Sequence, residues 1–449
     1  MQNMKINDKN QEWIGEVPKN WAFKKIKYVL TQRNEKNIPI KSKDILSLTA
    51  KQGVIPYTEK EGGGNKPKTD FSAYKLAYPG DIVMNSMNIL SGAVGLSKYF
   101  GCVSPVYYML YCSNDKDDIR YFYYVFANKA FQSSLLGIGN GILMKKSENG
   151  TFNTIRMRIP IEKLNNMSIP YPKPETQKAI ANFLDKKIGK IDKVSKRIQQ
   201  EIIDLEEYRQ SIITKAVTKG IDKNVSMKDS GINWIGGIPQ DFMVTRLKFL
   251  LETPLKYGAN ESGIDFDPNL PRYIRITDIT SNSKLKEENK LSLSSTQAMG
   301  YILKNNTILF ARSGATVGKT FLYKSTMGKA AFAGYLIAAK IDENKINPKW
   351  VYYYTKSNAY WNWVNQAFSQ ATIQNIGADK YSNLLLTVPQ NKNLQNIIIS
   401  KIDKINSKID KIINKKQKLL EYLDKYRQSI IYEYVTGKKQ VSNEEGIKA

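Results

Sequence analysis

The feature that most constrains this chain is a long, heptad-patterned segment that occurs twice. The first copy runs from about Glu175 to Val217, the second from about Leu394 to Val435. In the first, Leu184, Ile188, Ile191, Ser195, Ile198, Ile202, Leu205 and Ile212 follow an alternating four-three spacing, with Arg209 between the last two. In the second, Ile398, Ile402, Ile405, Ile409, Ile412, Leu419, Leu423, Tyr426 and Ile430 do so, with Lys416 as the polar interruption. Apolar residues about every 3.5 positions make a narrow seam, which takes a partner helix rather than a broad core. Each copy finds one in the other. A shift of 218 residues places Gln177 on Gln395, Asp185 on Asp403 and Asp192 on Asp410. It also superposes Tyr208-Arg209-Gln210-Ser211-Ile212-Ile213 on Tyr426-Arg427-Gln428-Ser429-Ile430-Ile431. At about 1.5 Å per residue, each rod is on the order of 65 Å long. A repeat of this length is a duplicated half-protein, not a solenoid unit.

The duplication extends beyond the rods. Residues 13–18 read WIGEVP and residues 234–239 read WIGGIP, each followed by an aromatic, basic amphipathic stretch. Within the halves, Asp44–Thr49, Asp81–Met84 and Cys102–Cys112 read as strands, as do Tyr273–Thr277, Thr307–Ala311 and Ala331–Lys340. An aromatic helix over 118–135 corresponds to one over 348–368, with Phe122-Tyr123-Tyr124 over Tyr352-Tyr353-Tyr354 and Asn128 over Asn358. At helical spacing these aromatics are core rather than stacking platforms. The expected organisation is a mixed α/β globular domain over 1–174 and a helix over 175–219. A second such domain follows over 220–392, a second helix over 393–437 and a polar tail over 438–449. The fold class is therefore α/β (mixed), two similar globular domains separated by two long α-helices packed as an antiparallel coiled coil, with an internal pseudo-two-fold repeat.

Charge points to a polyanion. The net charge is +27, from 68 basic and 41 acidic side chains. Residues 1–174 carry +11 and residues 220–392 carry +8, against +3 for 175–219 and +4 for 393–437. The excess sits in the globular segments, as expected if those touch nucleic acid. No apolar run suits a membrane span, and the polar N-terminus lacks a signal core, so the expected location is cytoplasmic. Cys102 and Cys112 provide neither a disulfide framework nor a metal spacing.

Catalytic chemistry has little to work with. The chain has no histidine, which removes the commonest general base, the commonest metal ligand and every His-dependent nucleophile. Ser313 to Thr320 resembles a phosphate-binding loop, but only three residues separate Gly314 from Gly318-Lys319-Thr320, and the flanks suggest a hairpin rather than strand-to-helix. Gly137-Ile138-Gly139-Asn140-Gly141 follows a helix, the wrong context for a cofactor turn. No Asn/Asp-Pro-Pro-Tyr tetrapeptide is present. No catalytic and no metal-ligating residues are assigned.

The remaining polar clusters suit DNA. Asn85, Ser86, Asn88, Ser91 and Lys98 form one turn-rich group, with Lys145 and Lys146 further on. Arg312, Ser313, Thr316, Lys319 and Lys324 form its counterpart, aligned by a Gly-Ala-x-Val-Gly match that needs one inserted residue. Gln370, Thr372, Gln374 and Asn375 make a further group. Asn and Gln suit adenine edges and Arg suits guanine, while Lys, Ser and backbone amides suit phosphates.

With these residues in view, the chain resembles the specificity subunits of type I restriction–modification systems. The resemblance rests on WIGEVP and WIGGIP, YPGDIVMNSMNILSGAVG (78–95), VSPVYYML (103–110), ILFARSGATVGKTF (308–321), FAGYLI (332–337), SQATIQNIGADKYSNLLLTVP (369–389) and the two helices ending in YRQSII. It implies two target recognition domains reading a split double-stranded DNA sequence, and helices that space them and dock two methyltransferase subunits. Two restriction subunits would complete an endonuclease. Gln177, Tyr208, Arg209, Gln395, Tyr426 and Arg427 are then the partner-binding candidates. S-adenosylmethionine, ATP and Mg²⁺ would sit on the partners and none on this chain. The helix entrances depart from the family's acidic-Gln pattern: Glu175-Thr176-Gln177 keeps it, and Asn393-Leu394-Gln395 does not. Two rival readings are a self-sufficient methyltransferase or nuclease, which the missing motifs oppose, and a coiled-coil scaffold or RNA-binding module.

Overall fold

The computed structural model describes residues 3–4, 12–50, 52–60, 67–142, 156–222, 224–280, 283–369 and 375–441. The chain divides into two compact units: Met1–Ile198 with Lys418–Ala449, and Gln199–Gln417.

In the first unit, β1 (Ala22–Lys25), β2 (Leu30–Arg33), β3 (Ile82–Asn85), β4 (Val94–Leu96) and β5 (Tyr107–Cys112) precede α1 (Ile119–Ala127) and α2 (Lys129–Ser134). Then come β6 (Ser168–Tyr171) and the long helix α3 (Pro174–Lys219). The second unit follows the same plan: β7 (Phe242–Arg246), β8 (Lys256–Tyr257), β9 (Thr307–Ala311), β10 (Thr320–Leu322), β11 (Leu336–Lys340), α4 (Pro348–Tyr354), α5 (Asn358–Ser369), β12 (Leu385–Pro389) and the long helix α6 (Lys392–Val435). The first unit's antiparallel sheet has the order β2-β5-β3-β4, and the second's the order β8-β11-β9-β10. β3 and β9 lie inside their sheets, covered on both faces, and so read as the apolar runs Ile82-Val83-Met84 and Ile308-Leu309-Phe310. The last strand before each long helix returns to the opening of its half, β6 on β1 and β12 on β7.

Three expectations shift. The strands anticipated over 102–112 and 331–340 are each broken by a turn, closed by Tyr107 N–H to Ser104 C=O (3.0 Å) and Leu336 N–H to Ala333 C=O (2.8 Å). Each aromatic helix is also broken in two. Asn128 leaves the helical region and its side chain caps α2, while Ser357 Oγ accepts from Tyr360 N–H at the start of α5. The helix alignment moves by one residue, because Tyr124 and Tyr353, not Tyr124 and Tyr354, both donate to the long helix, at Asp185 and Asp403. Arg120 and Lys349 pair with the same two carboxylates. Burial first, and the hydrogen bond to the carboxylate second, push both tyrosine phenols well above their ordinary value.

The long helices close the cores. The first unit's core takes Ile180, Leu184, Ile188 and Ile191 from the start of α3 and Ile430, Ile431, Tyr434 and Val435 from the end of α6. The second takes Ile398, Ile399 and Ile402 from α6 and Ile213, Ala216 and Val217 from α3. Each fully buried aliphatic side chain contributes about 1.5–3 kcal/mol. In both units the helices run antiparallel: Phe183 stacks near Tyr434 and Asp192 faces Arg427 in one, while Glu201 faces Lys416 and Asp410 faces Arg209 in the other. Along α6 the seam departs from the expected one. Ile413 is buried and Leu420 and Leu423 half-buried, whereas Ile412, Leu419 and Tyr426 are exposed.

A bond to a carbonyl near the end of each long helix is made differently in the two units. Tyr121 Oη lies 3.0 Å from Val435 C=O and 3.2 Å from Pro170 C=O. In the second unit Trp350 Nε1 donates to Thr387 C=O (2.7 Å) and the Thr387 hydroxyl donates to Val217 C=O. A hydroxyl at Thr387 thus takes the place of the phenol that Trp350 lacks, and the Val435 and Val217 carbonyls are both satisfied.

Candidate nucleic-acid interface

Each unit presents one hairpin tip built to the same plan. Eight residues, 86–93 and 312–319, connect β3 to β4 and β9 to β10. The turn back is made by Gly92 (φ +85°) and Gly318 (φ +81°), a backbone region that a side chain strains. A Cβ on Gly318 would also lie 3.0 Å from Val364 and 3.2 Å from Trp361. Both tips are pinned from behind by the same backbone bond, Ile159 N–H to Ser86 C=O (2.9 Å) and Ile376 N–H to Arg312 C=O (2.8 Å). This register corrects the Gly-Ala-x-Val-Gly alignment: Gly92 matches Gly318, not Gly314, and Gly95 lies in β4 against Gly53 and Val54.

At the first tip, Asn88 and Ser91 are exposed and Asn85 is half-buried, its Oδ1 accepting from Met87 N–H (3.0 Å). Ser86 is only 1% exposed, so its side chain faces the interior and is removed from the contact set. Lys98 is removed as well: β3 and β4 are antiparallel, and it follows the far end of the hairpin, beside Gly80 and Asp81. Lys145 and Lys146 lie outside the described residues. Beside the tip a cleft of about 490 Å³ is lined by Asn85, Asn88, Tyr57, Lys60, Lys68 and Tyr107, among others. Sequence reasoning missed Tyr57, Lys60 and Lys68, which nothing links to Asn85 in the linear chain.

At the second tip, Arg312, Ser313, Thr316 and Lys319 are joined by Asn375, which bridges to Ser313. The Arg312 guanidinium lies over the Tyr257 ring, 5.0 Å from its centroid. Lys324 is separated from them. It lies at the opposite end of β9 and β10, where its Nζ donates to Asn306, and burial, with Lys349 nearby, lowers its pKa. Gln370, Thr372 and Gln374 lie outside the described residues.

The helix residues divide into structural and exposed. Gln177 is fully buried: its amide donates to Asp117 Oδ1 and Pro172 C=O and accepts from Asp118 N–H, each at 3.0 Å. Gln395 repeats this with Pro389 C=O (3.0 Å) and Asn347 N–H (3.2 Å). Both glutamines tie a long helix to the cap of an aromatic helix, so neither side chain is available to a partner. Arg209 and Arg427 are likewise engaged between the helices, with Asp410 at 2.6 Å and Asp192 at 3.9 Å. Tyr208 and Tyr426 are 58% and 55% exposed and stay open to one.

A repeated frame with unlike polar tips is what a reader of two different sequences needs, and comparison with known proteins bears on it directly. Residues 18–203 match the family described as "Type I restriction modification DNA specificity domain". Over that stretch the chain resembles the specificity subunits of type I restriction–modification systems. It is similar to the StySPI specificity subunit of Salmonella potsdam, 24% identical over 277 residues, covering 61% of this chain and 58% of that one. It is also similar to the EcoBI specificity subunit of Escherichia coli, 21% identical over 288 residues, covering 61% and 59%. The chain therefore spans under two thirds of the length of these relatives. A chain of the solved structure described as "Structural basis underlying complex assembly and conformational transition of the type I R-M system" has the same fold, with a TM-score of 0.64 and 12% identity over 94% of this chain and 99% of that chain. That shared fold accounts for the mixed helix and strand content and for the long helices.

Proposed function

We propose that this chain is the DNA-reading subunit of a type I restriction–modification assembly. It recognises a bipartite duplex target, one half-site per unit, and directs methyltransferase and restriction subunits to it. Two methyltransferase subunits dock on the long helices, and two restriction subunits join them. The chain is not itself an enzyme. Transfer of a methyl group to N6 of a flipped adenine falls to the methyltransferase, and S-adenosylmethionine, ATP and Mg²⁺ belong to the partners. It works in the cytoplasm; no helix among the described residues is long and apolar enough to cross a membrane.

The observation that carries this reading is the pair of hairpin tips, alike in backbone and pinning bond and unlike in side chains. A duplicated frame lets one polypeptide address two half-sites, as a symmetric dimer addresses a palindrome. The test is coexpression with a type I methyltransferase subunit and long-read mapping of adenine methylation. A two-part motif with a fixed gap is the expected result. Replacing residues 220–392 by the matching segment of a relative should change one half of the motif only. Methylation scattered without a motif, or an undivided motif, would overturn the proposal.

A further inference from the structure

Buried polar side-chain atoms nearly always find a hydrogen-bond partner, and exceptions call for a reason. Among the described residues, two such exceptions fall on one structural position. Ser86 Oγ and Arg312 Nε are both buried without a partner. Each belongs to the residue directly after its strand, β3 or β9, whose carbonyl accepts the pinning bond. In the first unit a small hydroxyl closes this position. In the second a half-buried guanidinium fills it, without the carboxylate partner that the other half-buried arginines named below have.

Arg33, Arg120, Arg209, Arg272 and Arg275 are each neutralised by an aspartate or glutamate. No carboxylate among the described residues pairs with Arg312. Its planar group instead lies over the Tyr257 ring, and that ring is fixed in turn, because Ala378 N–H donates to its hydroxyl at 2.9 Å. A ring held at its far end limits the rotamers open to the arginine above it, so the guanidinium is ordered before any ligand arrives. With Nε covered, the terminal nitrogens remain. They form the fork that matches guanine O6 and N7 in the major groove. Ser313, Lys319 and Asn375 surround it with groups suited to phosphate and sugar.

We infer that Arg312, set on Tyr257, selects a guanine in the half-site read by the second unit. This rests on the chain being a DNA-specificity subunit. Phosphate neutralisation alone would leave the stacked, ordered fork without a purpose, since a flexible lysine does that work as well.

The test uses the full chain with a methyltransferase subunit, a randomised duplex library and two variants, R312S and R312K. R312S installs the residue that the first unit carries. The wild type should enrich a motif with guanine at one position of one half. R312S should lose discrimination there by about tenfold to a hundredfold, with the other half unchanged. R312K should lose the same discrimination while its salt dependence stays that of the wild type, and it serves alone if R312S fails to fold. Uniform weakening on all sequences with a shallower salt slope would make Arg312 a phosphate contact and overturn the assignment, as would an unaltered motif. A wild-type assembly that enriches no motif at all would overturn the specificity reading itself, a different failure from an intact motif indifferent to Arg312.

Discussion

Lys356, just beyond α4, sits where the second unit's hairpin returns from its tip. Its Nζ donates to Ser283 Oγ (2.7 Å), Thr320 C=O (2.8 Å) and Thr320 Oγ1 (2.9 Å), with the Tyr352 ring 4.7 Å away. Burial, with a smaller push from Lys319, still lowers its pKa from 10.5 to about 7. The unfolded chain therefore binds this proton more tightly than the folded one. The resulting cost is fully present below about pH 7 and fades as pH rises toward 10.5. Thermal melts from pH 6.5 to 9 should show the second unit gaining stability, and K356M should flatten that rise. Lys356 is half-buried with its ammonium enclosed by these acceptors, whereas from the sequence it reads as one more surface charge. Tyr257 was equally invisible, because nothing links it to Arg312, 55 positions on, until the sheet forms. Arg312 was legible because its chemistry does not depend on where its neighbours come from.

The helices were the most legible elements, since a sustained heptad survives any local ambiguity. What the pattern could not settle was phase. Ile412 and Ile413, or Leu419 and Leu420, are adjacent residues of equal apolarity, so two overlapping stripes compete along α6. The folded structure decides, with Ile413 at 4% exposure and Ile412 at 42%. I413A should cost about 2–5 kcal/mol and I412A within about 0.5 kcal/mol, measured by chemical denaturation. Equal losses would place the seam elsewhere. The hairpins failed in the opposite way. A short shared string, Gly-Ala-x-Val-Gly, suggested an alignment that strand pairing overrides, because register follows the hydrogen-bond ladder rather than letter identity. The aromatic helices slipped by one residue for the same reason, with Phe-Tyr-Tyr and Tyr-Tyr-Tyr matching by type while Asp185 and Asp403 choose the partner.

At the scale of the molecule, duplication was readable from WIGEVP and WIGGIP, whose Ile14, Val17, Ile235 and Ile238 all prove buried. The excess of lysine and arginine predicts steep salt dependence of duplex binding: a filter titration from 50 to 200 mM salt should lose about 10³–10⁵ in affinity for six to ten phosphate contacts. A flat response would point to another partner. Removing one heptad from both long helices at equivalent positions takes out about 10 Å of rod. Methylome mapping should then find a shorter gap, on the order of three base pairs, between unchanged half-sites.

Because Ile430, Ile431, Tyr434 and Val435 complete the core begun by residues 13–191, that core waits on the ribosome for a segment made long after its sheet. A stop codon after residue 417 would spare every residue of the first sheet and still leave that sheet open to protease. Limited trypsin digestion of the truncated product should cut the N-terminal unit before the second. Damage to the codons of the second long helix thus disables a unit encoded several hundred codons upstream.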